Sequence, residues 1–109
     1  MIMSQELTEK LQTQIQTALE EVIDPELGID IVNLGLVYEV DLSEEGVCEV
    51  QMTLTTIGCP LADVIINDVK QALLKIDQIK EVKVELVWYP AWDPSRMSRY
   101  ARIALGVKL

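Results

Sequence analysis

The stretch CEVQMTLTTIGCPLADVIINDVKQALLKIDQIKEVKVELVW, residues 48–88, changes its hydrophobic period twice. Apolar and polar residues alternate over 48–54 and again over 82–88, which is the pattern of half-buried strands. Between these runs the apolar residues recur at helical spacing on one face: Leu61, Val64, Ile65, Val69, Ala72, Leu73 and Ile76. The order predicts a strand–helix–strand unit, with a right-handed crossover if both strands share a sheet.

The residues before this unit predict a helix, an ordered loop and the first arm of a hairpin. Ser4 is a candidate N-cap for a helix that stops at Asp24, because Pro25 disfavours the α conformation in the residue before it. The loop DPELGIDIVNLG, residues 24–35, has aliphatic residues that we expect to contact the core: Leu27, Ile29, Ile31 and Val32. The first strand then has a predicted buried face of alternate residues: Leu36, Tyr38, Val40 and Leu42.

The last part of the chain predicts a short terminal helix. The phase of the third strand places Trp88 in the core. Asp93 is a candidate N-cap and Pro94 suits the first helical position, so this helix should run to about Leu105. We therefore predict one α+β domain spanning residues 1–109, in the order helix, hairpin, helix, strand, helix. Its three-stranded mixed sheet has the first strand in the middle.

The composition bounds the partners and the compartment. Half of the 109 residues are hydrophobic, and the net charge is −9. This charge argues against a nucleic-acid partner and against an anionic membrane surface, since both require clustered Lys and Arg. The N-terminus has no basic segment followed by an apolar run, and no apolar stretch approaches the ~20 residues of a membrane span. We expect a cytoplasmic protein whose two cysteines are free thiols.

The absence of histidine excludes several kinds of chemistry. Cys–His nucleophilic catalysis, histidine general-base catalysis and His-ligated zinc cannot be built from this chain alone. The sequence therefore predicts a protein that is not an enzyme.

The two cysteines occupy different settings. Cys48 shares a strand face with Val50 and Met52, so we expect it in the core. Cys59 follows a strand and a glycine and precedes Pro60, which places it at a helix N-terminus where the backbone favours a negative charge. Either Cys59 is a small residue that fits a tight turn, or it is the chemical centre of the protein.

The DPE sequence, Asp24 to Glu26, is the second candidate for function, and its alternative is an ordinary Asp-Pro turn. If the fold brought these carboxylates near Cys59, they would raise the pKa of the thiol and disfavour a nucleophile. Such a site would suit a cation, and sulfur ligation points to iron, copper(I) or zinc. A single thiol cannot complete a zinc or cluster site, so a second protomer, a partner or a small thiol would share it.

The C-terminal sequence WYPAWDPSRMSRYAR, residues 88–102, contains three of the nine cations. Arg96, Arg99 and Arg102 are spaced so that they drift around a helix, which is typical of a solvated face. The alternative is a partner-docking surface formed by Trp92, Arg96 and Arg99, because Trp and Arg are enriched at interaction hot spots.

Three segments of the chain resemble one family, the SufT/PaaD-like, MIP-type iron–sulfur cluster assembly factors: EVIDPELGIDIVNLGLVYEV, MTLTTIGCPLADVIINDV and VELVWYPAWDPSRMS. The resemblance implies a fold similar to Nfu-type cluster assembly domains. It also implies a site that combines the DPE carboxylates, the paired threonines and the cysteine before proline. Those roles fall on Asp24, Glu26, Thr55, Thr56 and Cys59.

Two positions depart from the family pattern. Members often have Asp-Pro-Pro-Trp where this chain has YPAW, residues 89–92, and many have aspartate where Asn33 stands. The Cys-x-x-Cys of Nfu scaffolds is absent, so autonomous cluster assembly is not implied.

The resemblance favours a non-enzymatic factor that helps to deliver clusters or iron to client apo-proteins. Its cargo would be a transient cluster or iron, shared with the assembly machinery or with a second copy in a homodimer. Two alternatives stay open. One is an adaptor that docks clients and assembly ATPases without binding metal, and the other is a PaaD-like accessory of an aromatic-ring oxygenase.

Overall fold

The computed structural model describes residues 2–3, 8–54 and 62–106. Within these residues, three helices and four strands follow one another, with one turn of 3₁₀ helix before the last helix. In chain order they are β1 (Ile2–Met3), α1 (Glu9–Leu19), β2 (Val37–Leu42), β3 (Val47–Met52), α2 (Ala62–Leu74), β4 (Glu81–Leu86), the 3₁₀ turn (Pro94–Arg96) and α3 (Arg99–Leu105). The α+β prediction is confirmed. None of the described helices is both long and apolar enough to cross a membrane.

The sheet has the order β1-β2-β3-β4, in which β2 and β3 are antiparallel and the two outer pairs are parallel. The three predicted strands form a mixed sheet, and the two-residue β1 extends it at the edge of β2. The prediction that the first strand lies in the middle is wrong, because β3 occupies that place. After β3 the chain passes through α2 and returns as β4, which pairs with β3 in parallel. This agrees with the tendency of consecutive elements to be neighbours in space.

The core lies between one face of the sheet and the apolar stripes of the helices. The β2–β4 residues on this face that are buried include Val40, Cys48, Val50 and Val82. Opposite them, α1 contributes Ile15 and Leu19, and α2 contributes Ile65, Val69, Ala72 and Leu73. Val64 differs from the prediction, since its side chain is 47% exposed.

A β-bulge at Tyr38 changes the predicted phase of β2. Val37 pairs with Met52 while Glu39 pairs with Gln51, so β2 has one extra residue between these two pairs. Val40 is buried as predicted, but Val37 is buried as well, and Tyr38 is only half-buried. The bulge therefore takes Tyr38 out of the alternation and makes it available to the C-terminal segment.

The first helix begins and ends at residues that differ from the prediction. α1 begins after Thr8, whose hydroxyl accepts a hydrogen bond from the Leu11 N–H, whereas Ser4 lies outside the described residues. α1 stops at Leu19 rather than Asp24, because Val22 leaves the helix to accept a hydrogen bond from the Ile31 N–H at 3.0 Å.

The predicted terminal helix is split into two pieces. The 3₁₀ turn has Asp93 as its N-cap, as predicted, but Met97 is extended and buried. Ser98 then caps a separate helix, α3. The Ser98 N–H donates to the Asn33 carbonyl at 2.8 Å, so a contact from a distant part of the chain causes the break.

Candidate functional site

The DPE sequence forms a turn that its own aspartate caps. Asp24 Oδ1 accepts hydrogen bonds from the N–H groups of Glu26, at 2.8 Å, and Leu27, at 3.3 Å. Asp24 is only 4% exposed, whereas Glu26 is exposed. The two carboxylates therefore do different work, because Asp24 shapes the turn and Glu26 reaches solvent.

Backbone hydrogen bonds close this turn into a rigid loop. The Asp24 N–H donates to the Ile29 carbonyl at 2.9 Å, and the Gly28 N–H donates to the Asp24 carbonyl at 2.7 Å. Gly28 has a φ of +73°, a conformation that costs a side-chain-bearing residue about 1–2 kcal/mol. The predicted contacts of the loop with the core are confirmed. Ile29 and Ile31 are buried, and Leu27 and Val32 are partly buried against the core.

A polar network that sequence reasoning missed joins the 24–35 loop to α3. Asp30 is 8% exposed, and its carboxylate accepts from the Asn33 N–H at 2.9 Å and from the Asn33 side-chain amide at 2.7 Å. Asn33 Oδ1 accepts from the Ser98 hydroxyl at 2.6 Å, and Ser98 Oγ accepts from the Ala101 N–H.

This network gives the side chain of residue 33 two partners that an asparagine can satisfy. An asparagine can donate to Asp30 and accept from Ser98 at the same time. An aspartate in this position would face the Asp30 carboxylate without a donor. The available signal in the sequence was the spacing of the residues in Asp30-x-x-Asn33, which suits a local side-chain-to-backbone hydrogen bond.

Thr55, Thr56 and Cys59 lie outside the described residues, so their predicted roles remain predictions. The chain reaches this stretch close to the 24–35 loop, because the Thr53 N–H donates to the Leu36 carbonyl at 2.8 Å. The Leu36 N–H in turn donates to the Ile31 carbonyl at 3.0 Å. Across residues 8–54 and 62–106, no group of three His, Cys, Asp or Glu side chains could hold a metal ion.

Cys48 is a core residue, as predicted. Its side chain is fully buried. Burial raises the pKa of the Cys48 thiol to about 12, and the nearby charges of Asp41 and Glu49 add to this rise. Because its side chain is fully buried, Cys48 is not accessible to a metal or cluster that a partner brings to the surface.

The C-terminal segment attaches to the end of the same loop through Trp92. The Trp92 Nε1–H donates to the Leu34 carbonyl at 2.7 Å, and the ring is half-buried against the core. Gly35 has a φ of +75°, and a Cβ there would clash with the backbone carbonyl of Arg96. Trp92 is therefore an anchor of the fold, whatever part it plays in docking.

Several other residues of this segment lie at the surface, although Met97 and Ala101 are buried. Arg96 and Arg99 are exposed, and the Arg96 guanidinium lies over the Tyr38 ring, 4.7 Å from its centroid. Trp88 is 40% exposed, so its predicted place in the core is wrong. β4 ends at Leu86, so Trp88 lies beyond the strand whose alternation predicted its burial.

The structure defines a small α+β domain whose described candidate site residues, Asp24 and Glu26, lie in the 24–35 loop. Comparison with known proteins identifies its family. A family model described as "Iron-sulfur cluster assembly protein" matches residues 12–86. The chain belongs to this family, which confirms the resemblance seen in its sequence.

Relatives match nearly the whole chain. It is 53% identical over 102 residues to the Fe-S protein maturation auxiliary factor YitW of Bacillus subtilis (strain 168), covering 94% of this chain and 100% of that protein. It is 60% identical over 86 residues to the Fe-S protein maturation auxiliary factor SufT of Staphylococcus aureus (strain USA300), covering 79% of this chain and 98% of that one. A crystal structure of the domain of unknown function DUF59 from Bacillus anthracis is 48% identical, with a TM-score of 0.84, over 92% of this chain and 95% of that chain.

Proposed function

We propose that this protein is a non-enzymatic, cytoplasmic Fe–S protein maturation factor, which helps to deliver clusters or iron to client apo-proteins. The observation that carries this proposal is the match along almost the full length of relatives that are named Fe-S protein maturation auxiliary factors. The absence of histidine supports a role other than Cys–His nucleophilic catalysis or histidine general-base catalysis.

Cys59 is the proposed ligand of the cargo. It is the second of the two thiols, and the first, Cys48, is sealed in the core. One thiolate cannot satisfy an iron–sulfur cluster, which commonly takes four cysteine ligands, so the cargo is shared with a partner or a second copy. An incomplete site releases its cargo more readily than a closed one.

The two carboxylates of the DPE turn support this site in different ways. The buried Asp24 fixes the turn, and the exposed Glu26 is the carboxylate that we assign to the cargo as an oxygen ligand or a hydrogen-bond acceptor. The hydroxyls of Thr55 and Thr56 orient the ligands by hydrogen bonding. The short hydrogen-bonded path from Thr53 through Leu36 to Ile31 supports the placement of these segments in one site.

Anaerobic reconstitution with iron and sulfide tests the proposal. We expect the wild type to take up iron with thiolate-to-iron charge-transfer absorption, and Cys59→Ser to lose both. Cys48→Ala is the matched control, because it removes the buried thiol and should keep the absorption once circular dichroism has shown that it folds. Glu26→Gln should retain iron less well than the wild type at unchanged stability.

The other outcomes separate the alternatives. Absorption that survives Cys59→Ser would remove Cys59 from the role. If neither protein binds iron, the adaptor hypothesis replaces this one.

A further inference from the structure

The face of the sheet that points away from the helices is open. The residue pairs Asp41–Glu49 and Glu49–Lys83 lie side by side in the strand register, and the side chains of these residues are exposed. Their neighbours Val40, Cys48 and Val82 alternate to the opposite side and are buried. Within the described part of the chain, the outward side chains of β2, β3 and β4 therefore stay accessible to a partner.

This open face has a one-sided charge. It presents five exposed carboxylates and one amine: Glu39, Asp41, Glu49, Glu81, Glu85 and Lys83. Polar outward residues are common on a sheet with one covered face, and a mixture of the two signs would need no further explanation. A surface of nearly one sign favours an oppositely charged partner and repels a like-charged one.

A groove lies at one end of the same face, where the C-terminal segment crosses β2. It has a volume of about 460 Å³, and its lining includes Tyr38, Gln51, Val87 and Tyr89. Its lining also includes one cation, Arg96, and one carboxylate, Glu39, so the excess negative charge lies on the strands beyond the groove. The Tyr38 hydroxyl donates to the Pro90 carbonyl at 2.9 Å, and this hydrogen bond fixes one wall. Tyr89 is 90% exposed, and together with Trp88, which is 40% exposed, it leaves two adjacent aromatic side chains in solvent. Adjacent exposed apolar side chains are typical of interaction sites.

The groove and the charged face are continuous. Gln51 lines the groove, and it pairs with Glu39 on one side and with Glu85 on the other. If a partner protein placed an apolar side chain in the groove, the next residues of that partner segment would therefore lie above the carboxylates of the sheet face. The exposed rings of Tyr89 and Trp88 offer additional faces to Lys or Arg side chains.

We propose that this open sheet face, together with the groove, docks a partner protein through a segment that has Lys or Arg residues beside one large apolar side chain. Charge complementarity selects this occupant. A nucleic acid is repelled by the carboxylates, and a second copy of this chain brings its own net charge of −9. The surface uses neither Cys59 nor the DPE turn, so the proposal does not depend on metal binding.

Amide chemical shifts of the ¹⁵N-labelled full chain test this docking surface. The probe is a twelve-residue peptide, capped at both ends, that contains one Trp and four Lys, and the control peptide has Glu in place of each Lys. We expect the Lys peptide to shift amides of β2, β3, β4 and residues 87–89, with an affinity that falls as salt is added. The Glu peptide should shift none of them.

Two double variants separate a specific surface from net charge. Glu49→Gln with Glu85→Gln should weaken binding about 5-fold, as expected for two exposed charge pairs. Glu21→Gln with Asp68→Asn changes the net charge equally, in the turn after α1 and on α2, and should leave the affinity within about 2-fold of the wild type. Tyr89→Ala tests the groove and should weaken binding without changing the salt dependence.

Several results would overturn the proposal. These are shifts confined to the helices, equal binding of the two peptides, no binding at millimolar peptide, or an equal loss in both double variants. Self-association of the free protein through the same amides would identify a second copy as the occupant instead. Iron uptake by the Glu49→Gln, Glu85→Gln variant should equal that of the wild type, so failure here is distinct from failure of the proposed function.

Discussion

Asp24-Pro25 and Asp93-Pro94 are the same dipeptide in two different settings. In both, the aspartate Oδ1 accepts a hydrogen bond from the N–H two residues later, at 2.8 Å for Asp24 and 2.6 Å for Asp93. Asp24 is buried at the end of a rigid loop, whereas Asp93 is exposed before a single turn of 3₁₀ helix. The local sequence thus determines the turn, and the surroundings determine how much stability depends on it.

Gly35 ends the loop that begins with Asp24, and it contacts Arg96 just after the Asp93-Pro94 turn. A substitution at Gly35 should therefore have the largest effect on stability. Gly35→Ala forces a side chain into a φ of +75° and against the Arg96 carbonyl, and it should reduce the free energy of unfolding by about 3 kcal/mol. Gly28→Ala is the matched control, because Gly28 has a φ of +73° with open space around it. Urea unfolding should show a loss of about 1 kcal/mol for Gly28→Ala. Equal losses would mean that the 92–98 segment is not docked at Gly35.

Asp24→Ala should have the next largest effect. It leaves the N–H groups of Glu26 and Leu27 without their acceptor in a mostly buried setting, which should cost about 2 kcal/mol in unfolding free energy. Asp93→Ala removes the equivalent cap where water can replace it, so its loss should be clearly smaller. Denaturant unfolding of the two variants measures the difference directly, and a larger loss for Asp93→Ala would reverse the interpretation of the comparison.

The smallest expected effect is the pH dependence of the Asp93 cap. Hydrogen bonds from the Ser95 side chain and backbone, with the nearby Arg96 charge, lower the pKa of Asp93 from its ordinary value of 3.8. A lowered pKa in the folded state stabilises the protein above pH 3.8, and this contribution is lost as the pH falls through the folded value. The stability difference between the wild type and Asp93→Asn should therefore be larger at pH 7 than at pH 3. A difference that is the same at both pH values would show that the charge is not involved.

The features that could be predicted from the sequence are those that depend on local pattern. Strands β2 to β4, the α2 helix, the buried Cys48 and the Asp93 cap follow from periodicity and turn chemistry and are confirmed, whereas β1 was not predicted. The three sequence segments that resemble the family were also sufficient to predict it, and the family model confirms that prediction. The DPE turn was predicted as the simpler alternative to a functional site, and the structure shows that turn in detail.

The features that were missed depend on contacts between distant residues. The break at Met97 requires the hydrogen bond between Ser98 and Asn33, and the bulge at Tyr38 accompanies its contacts with Pro90 and Arg96. No local pattern encodes such contacts. The roles of Thr55, Thr56 and Cys59 stay predictions for the experiments above.

The tie between Trp92 and Leu34 has a consequence for biosynthesis. These residues are 58 positions apart, and Ser98 is 65 positions from its partner Asn33. During translation the 24–35 loop leaves the ribosome long before the residues that hold its far end. The far end of the loop is therefore secured only after residues 92–98 have been synthesised, so a nascent or truncated chain that lacks them would present the DPE turn without that support.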